Sequence, residues 1–170
     1  MAEFDKAVAQ TFAHEGGFAN DVFDPGGETM YGISKRSYPE EDIPNLTRER
    51  AIKLYRQDFW CPLYDQIQSQ AVANELFDFG VNTSAREWPK VAVRVLQESL
   101  RYLMVGPMVI DGVFGRRTLE ATNSISQDRL LREFRARQAF YYANIVIRAP
   151  DAEEWKKRRF LETWLRRVMA

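Results

Sequence analysis

Two residue types are nearly missing from these 170 residues: there is one cysteine, Cys61, and one histidine, His14. A single thiol forms no internal disulfide, and it suits folding in a reducing compartment. With one Cys and one His, a zinc site of the usual kind is not expected. Cys61 sits in the apolar run Phe59-Trp60-Cys61-Pro62 and is assigned as a structural thiol, not a nucleophile. Net charge is also lacking. Lys and Arg total 24, Asp and Glu total 24, and the formal charge is zero. Without a polybasic excess, neither nucleic acid nor an anionic membrane is indicated as a partner. No apolar stretch is long enough to span a bilayer, so no stable membrane insertion is expected. The N-terminus is charged and amphipathic and lacks the apolar core of a signal peptide. The expectation is synthesis in the cytoplasm, with a separate route of delivery for any substrate outside it.

What is present is enough chain for one domain with a proper core, divisible at most into two lobes. The charge balance hides an asymmetry. Residues 1–45 carry three basic and nine acidic side chains, and residues 46–170 carry twenty-one and fifteen. Apolar periodicity is helical almost throughout. Phe4, Val8 and Phe12 mark a first helix that Gly16-Gly17 ends. Residues 18–33 are irregular or a short hairpin, with strong turn chemistry at Asp24-Pro25-Gly26-Gly27. Thr47 caps a helix over about 48–59 that Pro62 stops, and Ser69 caps the next, striped by Val72, Leu76 and Phe79. Pro89 opens a helix carrying Ala92, Leu96, Leu100 and Leu103. After a Gly-rich loop at 105–115, helices follow over about 116–124, 127–148 and from Asp151 to the end. The 127–148 stripe is predicted as Leu130, Phe134, Tyr141 and Ile145. The fold class is therefore mainly α: a helical bundle with a short irregular or hairpin segment. The loop at 105–115 is the one lobe boundary, dividing 1–104 from 105–170, packed as one compact unit.

The chemistry gathers at the end of the first helix. Glu15 lies three residues after Phe12 and seven after Val8, on the apolar face. A partly desolvated carboxylate at a helix C-terminus has its pKa raised, as a general acid needs. Asp24 follows nine positions later and Thr29 five after that. An acid and a second carboxylate facing one bond are the equipment of glycoside hydrolysis, and a threonine hydroxyl can hold the attacking water. Asp21 is the alternative second carboxylate. His14 points away from its neighbour on a helix and is assigned to packing or capping.

The run His14-Glu15-Gly16-Gly17-Phe18, then Asn20-Asp21, Asp24-Pro25-Gly26-Gly27, Thr29 and Tyr31-Gly32-Ile33, resembles the signature of glycoside hydrolase family 108. Arg56-Gln57-Asp58-Phe59-Trp60 with Pro62-Leu63, and Leu76-Phe77-Asp78-Phe79-Gly80-Val81-Asn82, match as well. Asp111-Gly112-Val113-Phe114-Gly115 with Thr118-Leu119 resembles the predicted peptidoglycan-binding segment that accompanies the family. These are N-acetylmuramidases of phage lysis and bacterial export. The resemblance implies a lysozyme-like fold in the α+β sense and cleavage of the β-1,4 bond between N-acetylmuramic acid and N-acetylglucosamine. It makes Glu15 the catalytic acid. The Glu…Asp…Thr order is also similar to that of phage-type lysozymes, with an Asp-to-Thr spacing one residue shorter here, and implies direct attack by water with inversion. Tyr31, Asp78 and Asn82 are the candidates for lining the sugar groove. Trp60, Trp88, Trp155 and Trp164 are assigned to the core, and the basic cluster at 156–159 with Arg166 and Arg167 to a solvated helix face.

A peptidoglycan hydrolase follows, acting on glycan strands in the periplasm or cell wall, as a monomer, without metal or cofactor, delivered by a holin or a dedicated export route. The alternatives are a lytic transglycosylase, which closes a 1,6-anhydro ring, and a non-catalytic wall-binding protein.

Overall fold

The structure, a computed structural model, describes residues 1–14, 28–83, 90–103, 106–149 and 151–169; at 13, 14, 151–157 and 159 it describes the backbone alone. Its centre is α3, Gln70–Thr83, in which six consecutive residues from Glu75 to Gly80 are buried. A helix buried on every side must be covered by others. α1 (Phe4–His14), α2 (Arg48–Phe59), α4 (Lys90–Tyr102) and α6 (Gln127–Ile147) provide that cover. α7 (Asp151–Met169) lies along α6, and α5 (Arg116–Ser124) packs on α4, α6 and the short 3-10 segment Pro62–Gln66. Among the described residues the only sheet is an antiparallel ribbon of β1 (Thr29–Met30) and β2 (Ile33–Ser34). The fold is mainly α with one small ribbon.

Local chemistry explains the starts of these helices. Thr47 Oγ1 accepts the Arg50 N–H at 3.2 Å and caps α2. Ser69 Oγ accepts the Val72 N–H at 3.3 Å and begins α3. The α4 stripe Ala92, Leu96, Leu100 and Leu103 is buried throughout. α6 departs from its predicted stripe. The buried row is Leu130, Phe134, Gln138, Tyr142 and Val146, spaced by four, while Tyr141 and Ile145 are half-buried beside it. A buried glutamine in mid-row hides the true phase.

Aromatic rings hold the bundle together. Phe77 of α3 meets Phe4, Trp60 and Tyr55 edge-on at centroid distances of 5.7, 5.8 and 6.0 Å. Such pairs each add about 0.5–1.5 kcal/mol beyond the area they bury. Trp60 is a core residue whose indole N–H donates to Asp65 at 2.9 Å. Trp164 stacks on Tyr142 at 5.1 Å. Trp88 and the Trp155 side chain lie outside the described residues. Cys61 is half-buried, its thiol 3.9 Å from the Phe114 carbonyl.

The Asp111–Gly115 motif is a turn clamped from within. The buried Gln97 of α4 donates to Asp111 Oδ1 at 2.8 Å and to the Val113 carbonyl at 3.1 Å, and it accepts the Gly112 N–H at 3.0 Å. Gly112 has φ +77°, and a Cβ there would lie 3.0 Å from the Lys90 carbonyl oxygen, so both conformation and space require glycine. Among the described residues, no helix is long and apolar enough to cross a membrane.

Candidate active site

The buried face of α1 runs Phe4, Ala7, Val8 and Thr11, each 3% exposed or less. Thr11 stands four positions before Glu15. Its hydroxyl donates to Asp78 Oδ1 of α3 at 3.0 Å. Asn82, one turn on from Asp78, donates to Asp78 Oδ2 at 3.2 Å and to the Asp78 carbonyl at 2.8 Å. The Asn82 amide oxygen in turn accepts from the Arg167 guanidinium of α7. Three helices are thus tied by one polar chain near the C-terminal end of α1. Tyr142 packs close by; burial pushes its hydroxyl pKa well up, and the Asp78 charge adds to the effect.

An aromatic wall adjoins this chain. Phe12 of α1 meets Tyr31 at 5.8 Å and Tyr55 at 5.5 Å, both edge-on, with the Arg48 guanidinium 5.2 Å over its ring. Tyr31 and Gly32 form the ribbon's two-residue turn at φ +52° and +74°. Left-handed backbone at both positions suits the right-handed twist of a hairpin, but it is strained for tyrosine. The Tyr55 hydroxyl fixes it by donating to the Tyr31 carbonyl at 2.8 Å. Strain held by its surroundings is a common property of functional sites.

The predicted site residues divide three ways. Glu15 and Asp24, with the alternative Asp21, lie outside the described residues. Thr29 opens β1, half-buried and paired with Ser34, two residues before Tyr31. Asp78 and Asn82 come together directly, with Asp78 only 8% exposed and both its carboxylate oxygens engaged by protein groups. Asp78 therefore lies beneath the surface. Thr11 is a participant that sequence reasoning missed, and Arg167, expected on a solvated helix face, is instead half-buried and bonded to Asn82. Thr11 left one signal, a polar residue in an apolar helical row; Arg167 left none. The Arg56–Trp60 motif is scaffold: Arg56 covers the Phe4 ring at 5.1 Å, and Asp58 accepts from the Tyr38 hydroxyl at 2.8 Å.

Glu75, one turn before Asp78, is a second buried carboxylate. Burial pushes its pKa up, and the Arg135 guanidinium, 2.8 Å away, opposes that rise. With a folded pKa above the unfolded value, its contribution to stability is full at low pH. The contribution is lost as pH rises from the ordinary glutamate range through the raised value. A Glu75→Gln variant should lack this loss. Thermal unfolding of both proteins across the mildly acidic range should show the stability difference moving in the variant's favour as pH rises.

Residues 8–83 match the family profile described as glycosyl hydrolase 108, and residues 91–169 match the one described as a predicted peptidoglycan domain. The solved structure of SagA from Brucella abortus superposes with a TM-score of 0.72 at 24% identity, covering 98% of this chain and 93% of that one. At that identity the likeness is one of fold. The search of curated proteins found no match. The first match takes in α1, the ribbon, α2 and α3, and the second takes in α4 to α7. Residues 8–83 are thus a glycosyl hydrolase 108 region and residues 91–169 a predicted peptidoglycan domain, and the chain is a peptidoglycan hydrolase of the muramidase kind.

Proposed function

We propose that this enzyme cleaves the β-1,4 bond between N-acetylmuramic acid and N-acetylglucosamine by single displacement with inversion. Glu15 protonates the leaving oxygen. Asp24 and Thr29 place the attacking water on the opposite face of the sugar. Tyr31 and Asn82 line the groove, and Asp78 orients Asn82 from below. One observation carries this reading: the buried face of α1 is fixed at Thr11, four positions before Glu15 in the sequence, to a buried carboxylate of α3. A carboxyl in the next turn of that face would be desolvated and adjacent to negative charge, and both raise a pKa into the working range of a general acid.

Further parts of the reading are a catalytic lobe over 1–104 and a C-terminal lobe over 105–170, working as one monomeric unit. The packing of α4 and α6 on α3 supports the single unit. Action is at the cell wall, and delivery from the cytoplasm is by a holin or an export system.

Mass spectrometry of the muropeptides released from purified walls tests the chemistry. Hydrolysis yields reducing N-acetylmuramic acid ends that carry the mass of one added water. Products with 1,6-anhydro ends would transfer the assignment to lytic transglycosylation.

A further inference from the structure

A groove of about 400 Å³ runs between α4 and α6, within the half that matches the peptidoglycan domain. Arg94 and Glu98 line it from α4. Arg137, Phe140 and Asn144 line it from α6, and Arg148 closes its end. Three guanidiniums thus face a single carboxylate. Arg137 is already committed: it pairs with Glu133 at 2.6 Å, lies 3.9 Å from Glu98 and sits over the Tyr102 ring at 5.0 Å. The Arg94 and Arg148 guanidiniums are exposed and form no ion pair within 4 Å among the described residues; Asp111 acts on Arg94 from further away, and Arg148 bonds through its backbone N–H to the Asn144 carbonyl. Asn144 spends its amide N–H on the Phe140 carbonyl, 2.8 Å away, which leaves its oxygen as an acceptor. Phe140 stands 71% exposed on the rim, unlike Phe4, Phe77, Phe79 and Phe134, which are buried in the core.

We propose that this groove binds the stem peptide of peptidoglycan through its free carboxylates, separately from the glycan-cleaving site. Two unpaired guanidiniums in a groove present paired N–H donors that match carboxylate geometry. The Phe140 face covers the alkyl parts of the peptide, and the Asn144 oxygen accepts a peptide N–H. In peptide-bearing strands the lactyl carboxyl of each N-acetylmuramic acid is consumed in the amide link to the peptide, so the free carboxylates that can satisfy Arg94 and Arg148 belong to the stem peptide. The enzyme would then grip the wall by its peptides while the other half cuts the strand. The proposal rests on peptidoglycan being the substrate and is independent of which residues cut it.

Isothermal titration of the full chain tests it with three soluble probes: a stem tetrapeptide with free carboxylates, the same peptide fully amidated, and a chitin tetrasaccharide. The free-carboxylate peptide should bind at least tenfold more tightly than the amidated one. An Arg94→Gln/Arg148→Gln double variant, unchanged in melting temperature because both side chains are exposed, should lose that tenfold preference. Its hydrolysis of a soluble peptide-free glycan should stay at the wild-type rate. Equal binding of the two peptides, or full retention of the preference in the double variant, would overturn the proposal. So would a preference for the tetrasaccharide that the double variant abolishes. A wild-type chain that binds the peptide but cuts no glycan would instead defeat the catalytic reading and leave this one standing.

Discussion

A Glu15→Gln variant is expected to fold like the wild type and to clear peptidoglycan at least a hundredfold more slowly. The substitution keeps the shape of the side chain and removes its proton. A positioned general acid contributes about 10²- to 10⁴-fold to rate, so the loss should fall in that range. It should appear in kcat with little change in KM, because the amide still occupies the site but donates nothing to the leaving oxygen. The environment supports this. Phe4, Ala7, Val8 and Thr11 keep one face of α1 out of water up to four positions before Glu15. The neighbouring α3 contributes the buried carboxylates Glu75 and Asp78. Turbidity clearing of purified walls, with melting temperatures to verify folding, measures the effect.

Replacing Asp78 by alanine should produce the largest loss of stability, together with a fall in activity. The carboxylate accepts from the Thr11 hydroxyl and the Asn82 amide in a setting 8% exposed. Removing it strands the buried Thr11 hydroxyl and takes one of two acceptors from the Asn82 amide, which keeps its bond to the Asp78 carbonyl. Each buried polar group left without a partner costs about 1–3 kcal/mol, so with the lost Asn82 bond a total near 3 kcal/mol is expected. For a chain of this size that corresponds to a fall of about 6–12 °C in melting temperature. Thr11→Val is the milder test, since it deletes one bond and keeps the side-chain volume. Glu162→Ala on α7 is the control: it removes an exposed helix-surface pair with Arg166, and such pairs contribute little. Calorimetry of the three variants against wild type separates a buried network from a surface one.

Much of this arrangement is legible in the residues themselves, for local reasons. Thr47 and Ser69 announce their helices because a cap is a contact across three residues. The α4 row Ala92, Leu96, Leu100 is apolar at every step of its helical period, so the stripe is legible although Gln97 and Ser99 are buried beside it. Other features resist because the deciding contact is distant or the residue type misleads. Gln138 breaks an otherwise apolar row on α6, which shifts the apparent stripe to Tyr141 and Ile145. The Asp24–Gly27 turn attracts attention by its composition, yet the described hairpin turns at Tyr31-Gly32. Tyrosine is no turn former; Phe12 and the Tyr55 hydroxyl hold it there from elsewhere in the chain. The Thr11–Asp78 bond joins residues 67 apart, and the Arg167–Asn82 bond joins residues 85 apart. No periodicity encodes such pairings. In the Asp111–Gly115 loop the motif is plain, but its partner Gln97 is found only once α4 packs against it.

Those long-range bonds also relate the two halves. Asn82 lies in the part matching the hydrolase family, and Arg167 in the part matching the peptidoglycan domain. α7 therefore reaches across to the polar chain behind the proposed site. The C-terminal half thus packs onto the structure behind the proposed site, besides carrying the groove between α4 and α6.

The most direct measurement of the central claim compares wild-type and Glu15→Gln protein, at matched folded concentration, by muropeptide mass spectrometry of digested walls. The account predicts hydrated, reducing N-acetylmuramic acid ends from the wild type and at least a hundredfold fewer from the variant. Equal release by the two proteins would contradict it.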